Sequence, residues 1–258
     1  AEDLSPLDET GIPGEVRPLT EAVNQLFRRI EDMLQREKSF IADSAHELRS
    51  PLTALKVQLE VAEMSADNPQ ALAQALRKLE QGIDRSTRLV EQLLAFSRIE
   101  AGFDVLPGEA NRIDWVQTAA QITEEYQPMA TAKNITIISD ISGKAPFDNG
   151  NPVWAALMLR NLIDNAVKYS PEGAKVTLTI QNGRIRVCNS ETTVDEEQIC
   201  HLGQRFYRPA GQKTTGSGLG LSIVHQLVEK MGGSITVEST PGKGTEFTLV
   251  FPLSLIHI

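Results

Sequence analysis

Residues 40–52 read Phe40-Ile41-Ala42-Asp43-Ser44-Ala45-His46-Glu47-Leu48-Arg49-Ser50-Pro51-Leu52. Ile41, Ala45, Leu48 and Leu52 recur at alternating steps of four and three, and the alternation continues through Leu55, Leu59 and Ala62. A seven-residue repeat held this long is the seam of a coiled coil or helical bundle. His46 falls one residue off the seam, so a bundle turns its imidazole to solvent. Glu47 adjoins it, and Ser50 lies one turn on, on the same face. Pro51 has no N–H, which leaves the Glu47 carbonyl without its helical partner and predicts a bend at that point.

Working outward, Leu19, Val23, Leu26, Ile30 and Met33 carry the helical period back toward the N-terminus. Residues 1–18, with Pro6, Pro13 and Pro18 beside Gly11 and Gly14, read as an extended connector. Asp67-Asn68-Pro69 is a turn in which Asp67 or Asn68 caps the next helix. That helix is predicted over Pro69 to Glu100, with Leu72, Leu76, Leu79, Ile83, Val90 and Leu93 as its seam. Two long helices joined by a short turn form an αα-hairpin. One hairpin cannot cover a stripe this long on both helices, so dimerisation into a four-helix bundle is the expected solution.

After a linker at Gly102 to Gly108 the character changes. Helices are predicted for Trp115 to Ala132, Pro152 to Tyr169 and Leu219 to Met231. Strands are predicted for Ile135 to Ile141, Lys175 to Ile180, Arg184 to Val187, Ser234 to Ser239 and Thr245 to Phe251. Asn182-Gly183 is a strong hairpin signal. Asp148-Asn149-Gly150 reads as a turn. The mixture predicts an α/β (α+β) sandwich with helices on one face of a sheet.

The composition narrows the partners. The chain has 258 residues and a net charge of −9, which opposes a nucleic-acid-binding role. Cys188 and Cys200 match no zinc or redox spacing and read as reduced. No stretch approaches the roughly 20 apolar residues of a membrane helix.

Two features in the second half carry candidate chemistry. In Arg160-Asn161-Leu162-Ile163-Asp164-Asn165-Ala166-Val167-Lys168-Tyr169-Ser170, Asn161 and Asn165 share one helix face with Lys168 close by. Amide oxygens suit Mg²⁺ and a cation suits a phosphate. Taken alone, the pattern is equally that of a solvated face. In Gly216-Ser217-Gly218-Leu219-Gly220-Leu221, closely spaced glycines open a helix, so backbone N–H groups can approach phosphates. No Gly-Lys-Ser/Thr follows, so this is not a P-loop, and the spacing is not that of a dinucleotide fingerprint. Pro209 to Thr215, just before it, reads as a lid. His46 taken alone is ordinary helical surface.

Together these stretches resemble the sensor histidine kinases of bacterial two-component systems, over about Pro13 to Pro252. His46 to Leu52 looks like the H box, Asn161 to Ser170 the N box, and Arg205-Phe206-Tyr207-Arg208 the F box. Gly216 to Leu221 looks like the G2 box and Gly242-Lys243-Gly244-Thr245 the element after it, all in the family's order. The wording around His46, with Lys56, Arg85 and the segment from Arg205, is nearest to the QseC type. The resemblance implies that ATP phosphorylates His46, with Glu47 as acid/base partner, and that the phosphoryl group passes to an Asp of a response regulator. It implies that Asn165 binds Mg²⁺, with Asn161 and Lys168 near the phosphates, Tyr169 flanking the base and Arg208 at the γ-phosphate. Gly216, Ser217, Gly218, Leu219 and Gly220 would form the lid hinge and phosphate contacts, and Thr245 would lie near adenine. The second half would be a Bergerat-type (GHKL) sandwich. The implied layout is the C-terminal half of a HAMP element with a linker helix over 1–36, a dimerisation and histidine phosphotransfer domain over 37–103, a catalytic ATP-binding domain over 104–253 and a tail over 254–258. Such a chain would be a homodimer and the cytoplasmic portion of an inner-membrane protein, reaching the membrane only through segments before residue 1.

Two departures from the family pattern stand out. Where a G1 box usually reads Asp-x-Gly-x-Gly, this chain has Asn189-Ser190-Glu191-Thr192-Thr193. Asn189 can accept a hydrogen bond from an adenine amino group but carries no charge. Glu191 and Thr193 in place of glycines disfavour positive φ and predict a different loop. Ser50 stands where Thr or Asn more often orients water for phosphatase action. These motivate an alternative, a degenerate kinase that binds ATP weakly and acts as a phosphatase or conformational relay.

Overall fold

The computed structural model describes residues 7, 13, 16–100, 111–142, 149–209 and 216–251. The chain divides into two units, Ala1–Thr87 and Arg88–Ile258.

In the first unit, α1 (Arg17–Met64) runs unbroken through Pro51 and starts with Pro18 in its first turn, where a missing N–H costs nothing. The connector predicted over 1–18 therefore ends sooner than its prolines suggest. The second helix, α2 (Pro69–Glu100), begins in this unit and continues into the other. Asn68 caps it: Oδ1 accepts from the Gln70 and Ala71 amides, at 3.2 Å each.

The seam is resolved into two rows. On α1, Leu48 and Leu55 are half-buried and Ala62 is buried, whereas Leu52 and Leu59 are 58% and 50% exposed. On α2, Ala75, Gly82 and Leu89 form a buried row at seven-residue spacing, while Leu76, Ile83 and Val90 form an exposed one. The single seam expected from Leu72 to Leu93 is thus corrected. Small residues line the inner face because the helices approach closely there: a Cβ on Gly82 would sit 2.7 Å from Leu55 Cδ2.

The second unit holds a five-stranded sheet in the order β2-β4-β5-β7-β6. Its strands are β2 (Thr136–Ile141), β4 (Lys175–Gln181), β5 (Arg184–Asn189), β6 (Ser234–Thr240) and β7 (Gly244–Val250). The β2–β4 pair is parallel and the others are antiparallel. Along β4, β5 and β7 alternate side chains are buried, including Val176, Leu178, Ile180, Ile185, Val187 and Leu249. That alternation marks one covered face. The helices α3 (Trp115–Ala132), α4 (Pro152–Tyr169) and α6 (Gly220–Lys230) supply the matching apolar stripes. This is the α/β sandwich expected. The β4–β5 turn has positive φ at both Asn182 and Gly183, the left-handed pair that a two-residue hairpin requires.

Three details differ from the sequence reading. Asn149–Gly150, expected as part of a turn, is a short strand β3 that pairs antiparallel with β1 (Asn111–Arg112). A one-turn helix, α5 (Glu196–Ile199), follows the altered loop. Glu191 adopts φ 66°, so the loop keeps a left-handed residue without a glycine to ease it. The linker core at 102–108, the lid residues 210–215 and the tail 254–258 lie outside the described residues.

Candidate functional site

In the second unit the glycine-rich segment lies over the polar face of α4. A Cβ on Gly216 would stand 3.3 Å from Lys168 Nζ and 3.6 Å from the Tyr169 hydroxyl. A Cβ on Gly220 would stand 2.9 Å from Asn161 Oδ1. Glycine at these two positions therefore lets the backbone at the start of α6 approach side chains expected at phosphates. Gly218 has φ 71°, and a Cβ there would meet the Phe206 backbone at 2.6 to 3.0 Å. Leu219 is fully buried and anchors the helix start, with its amide donating to Ser217 Oγ at 3.2 Å.

Asn161 is buried and oriented, its Nδ2 donating to the Leu157 carbonyl at 2.8 Å. Asn165 lies one turn on and is half-exposed. Lys168 pairs with Asp164 at 3.7 Å, both side chains half-exposed. That geometry leaves an ammonium beside Gly216 with its charge only partly balanced. The C-terminal end of α4 is held by Lys133, whose Nζ donates to the carbonyls of Val167, Lys168 and Ser170. Capping of this kind satisfies carbonyls that the helix leaves orphaned.

The other end of the site is built on the sheet. Asn189, at the end of β5, is 4% exposed and pairs in register with Thr245 of β7. Thr245 Oγ1 donates to the Thr192 carbonyl at 2.8 Å and shares a hydrogen bond with Ser239 Oγ at 2.9 Å. Thr192 Oγ1 in turn donates to the Tyr169 carbonyl at 3.3 Å. A hydrogen-bonded path thus joins Thr245 to the end of α4. Thr192, Ser239 and Lys133 were not legible as site residues, because only the β5–β7 and β6–β7 registers and the α3–α4 packing bring them there. Arg208 is exposed and follows Phe206, whose φ of 60° turns the chain.

Two titrating groups near this assembly are shifted by burial. Tyr126 on α3 has its hydroxyl pushed well above the usual phenol value by burial, with Asp164 adding to the effect. His225 on α6 has its imidazole held below the ordinary histidine value, burial outweighing the pull of Glu229.

His46, Glu47 and Ser50 lie together on α1 in the first unit, His46 exposed and Glu47 half-buried. The described residues contain no cluster of three or more His, Cys, Asp or Glu side chains that would hold a metal by themselves. The half-exposed Asn165 carries an amide oxygen, a type of hard ligand that suits Mg²⁺ alongside water and phosphate oxygens. Among the described residues no helix is long and apolar enough to cross a membrane.

Comparison with known proteins finds two families along the chain, the first of which runs across the boundary between the units. Residues 36–102 match the His Kinase A (phospho-acceptor) domain, and residues 150–255 match the family of histidine kinase-, DNA gyrase B- and HSP90-like ATPases. The sensor protein QseC of Salmonella typhi is 44% identical over 246 residues, 95% of this chain and 54% of that protein. The chain thus spans about half the length of the curated relatives it matches. The full-length ShkA structure in complex with AMPPNP aligns with TM-score 0.58 and 27% identity, over 83% of this chain and 45% of that one. The histidine kinase ThkA, solved in complex with the response regulator protein TrrA, shares the fold with TM-score 0.66 and 21% identity, over 87% of this chain and 64% of that one.

Proposed function

Because the chain belongs to the sensor histidine kinase family, we propose that it binds ATP in its second unit, phosphorylates its own His46, and passes the phosphoryl group to an aspartate of a response regulator. The observation that carries this reading is the seating of Gly216 and Gly220 against Lys168 and Asn161, in a chain that also presents an exposed histidine on a helical hairpin. The relatives named as sensor proteins and the neighbour crystallised with a response regulator support the same assignment of partners.

The chain's own groups define the steps. Backbone N–H groups at the start of α6 and the Lys168 ammonium hold the phosphates, with Arg208 at the γ-phosphate. Asn165 is the Mg²⁺ ligand, and the ion would neutralise charge on the transferring phosphoryl group. Tyr169, Asn189 and Thr245 receive the adenine. His46 attacks through the ring nitrogen that Glu47 leaves free, and the phosphorus–oxygen bond to ADP breaks as the phosphorus–nitrogen bond forms. Ser50 orients water for phosphatase action, in which water attacks the regulator's phosphoaspartate and inorganic phosphate leaves. A dimer covers the exposed rows of α1 and α2, completing a four-helix bundle. In the wider layout, residues 1–36 belong to a HAMP element and its exit helix, 37–103 to the phosphotransfer domain and 104–253 to the catalytic domain. This is the cytoplasmic portion of an inner-membrane protein. The left-handed Glu191 weighs against a degenerate site, since it preserves a positive-φ loop.

The decisive measurement is incubation with γ-labelled ATP and Mg²⁺ beside His46→Gln. Acid-labile label is expected on the wild-type chain only; label of the same kind on the variant rules out His46.

A further inference from the structure

The second unit contains the last turns of α2 as well as the nucleotide fold. They are firmly seated. Phe96 is fully buried, Arg205 lies over its ring with 4.5 Å to the centroid, and Arg205 also pairs with Glu100. One helical turn before Phe96, the Gln92 side chain enters the candidate site itself. Its Oε1 accepts from Ser217 Oγ at 2.7 Å, and its Nε2 donates to Asn161 Oδ1 at 3.4 Å. One amide thereby ties the glycine-rich segment to the polar face of α4. The same Ser217 hydroxyl caps the Leu219 amide, and the same Asn161 oxygen faces Gly220.

We propose that Gln92 is a latch that holds the nucleotide site in a resting state. The inference rests on the reading that the site takes ATP. Ser217 and Asn161 are then groups that a nucleotide with its metal must recruit, and in this state both are engaged by Gln92. Binding and latching compete, and the competition is reciprocal: whatever loosens Gln92 favours nucleotide, and nucleotide favours release of Gln92. Gln92 lies on the helix that also forms the hairpin with α1, which is unbroken from Pro69 to Glu100. A rotation or shift of α2 about its axis would withdraw the amide, and with it the Phe96 and Glu100 contacts to Arg205. The latch therefore gives the hairpin a direct mechanical handle on ATP affinity.

The test is a titration of the full chain with fluorescent mant-ATP and Mg²⁺, comparing wild type, Gln92→Met, Gln92→Ala, Ser217→Ala and the double variant Gln92→Met/Ser217→Ala. Methionine keeps the length of the side chain and loses both hydrogen bonds; alanine removes the chain altogether should methionine impair folding. Loss of one or two hydrogen bonds of ordinary strength predicts affinity about threefold to tenfold tighter in either Gln92 variant. With Ser217 already Ala, Gln92→Met is expected to add clearly less than it does alone, because part of the latch is gone. Affinity unchanged or weakened in both Gln92 variants, while the wild type binds, overturns the latch and leaves the nucleotide reading intact. An equal gain with and without Ser217 overturns it too. No saturable binding by any of the five proteins sinks the nucleotide reading and the latch together.

Discussion

Asn189 holds the most unusual position in the nucleotide site. It is almost fully buried at the end of β5, opposite Thr245, and no hydrogen bond holds its side chain among the described residues. A neutral amide tolerates that depth, whereas a carboxylate without a partner is costly there. Asn189→Asp is accordingly expected to lower the melting temperature of the nucleotide-free chain. The same change is expected to tighten nucleotide binding about tenfold, since a hydrogen bond to a charged acceptor is stronger than a neutral one by about 1 to 1.5 kcal/mol. Melting curves with and without nucleotide, paired with a titration, separate the two effects; an affinity equal to wild type removes Asn189 from the base edge. The neighbouring loop shows the limit of residue-level reading. Glu191 and Thr193 in place of glycines argue for a different path, yet Glu191 accepts φ 66°. A strained φ persists where the surroundings over-determine it. Here Thr192 is fixed from both sides, by Tyr169 and by Thr245, and Gly244 leaves room for the Asn189 carbonyl that any Cβ at 244 would strike.

Helices make the seven-residue repeat legible, but they do not label its rows. Leu48, Leu52, Leu55 and Leu59 look alike as a sequence, and only the close approach at Gly82 decides that Leu55 turns inward while Leu52 and Leu59 stay exposed. On α2 the inner row is Ala75, Gly82 and Leu89, which a search for large apolar residues passes over. The outer rows are too apolar to face water over this length, and a second copy of the hairpin offers the complementary surface. Leu52→Asp combined with Ile83→Asp places charges on two positions that are 58% and 48% exposed in a single chain. Four apolar side chains per dimer, at about 2 kcal/mol each, correspond to association weakened by several orders of magnitude. Sedimentation at micromolar concentration is expected to show a dimer for wild type and a monomer for the double variant. A dimer that survives both charges would move the interface elsewhere. The short elements were illegible for the opposite reason. Two-residue strands such as β1 and β3 carry no period, and their pairing exists only once the helices around them are in place.

At the scale of the molecule, two kinds of core lie in one chain. The hairpin unit is held by a seam that is half exposed in a single chain, whereas the α/β unit buries Met158, Leu162, Ile163, Leu178, Ile185 and Leu249. The order of these parts was legible from periodicity and turn residues, because Asn182-Gly183 and the glycines at 216–220 dictate backbone conformations locally. Gln92 was not legible, since its role depends on tertiary packing that brings it to residues 69 and 125 positions away. Separate cores predict separate responses. Calorimetry of the full chain should resolve two transitions, one that rises with protein concentration because its unit is stabilised by association, and one that does not. Adding nucleotide and Mg²⁺ at 100 times the dissociation constant should stabilise the α/β unit by about 2.7 kcal/mol and raise its transition by several degrees. The dimer-breaking double variant should lose the concentration dependence of the first transition and keep the nucleotide shift of the second. A nucleotide shift that vanishes with the dimer would mean that the site is completed by the second copy and is not contained in one chain.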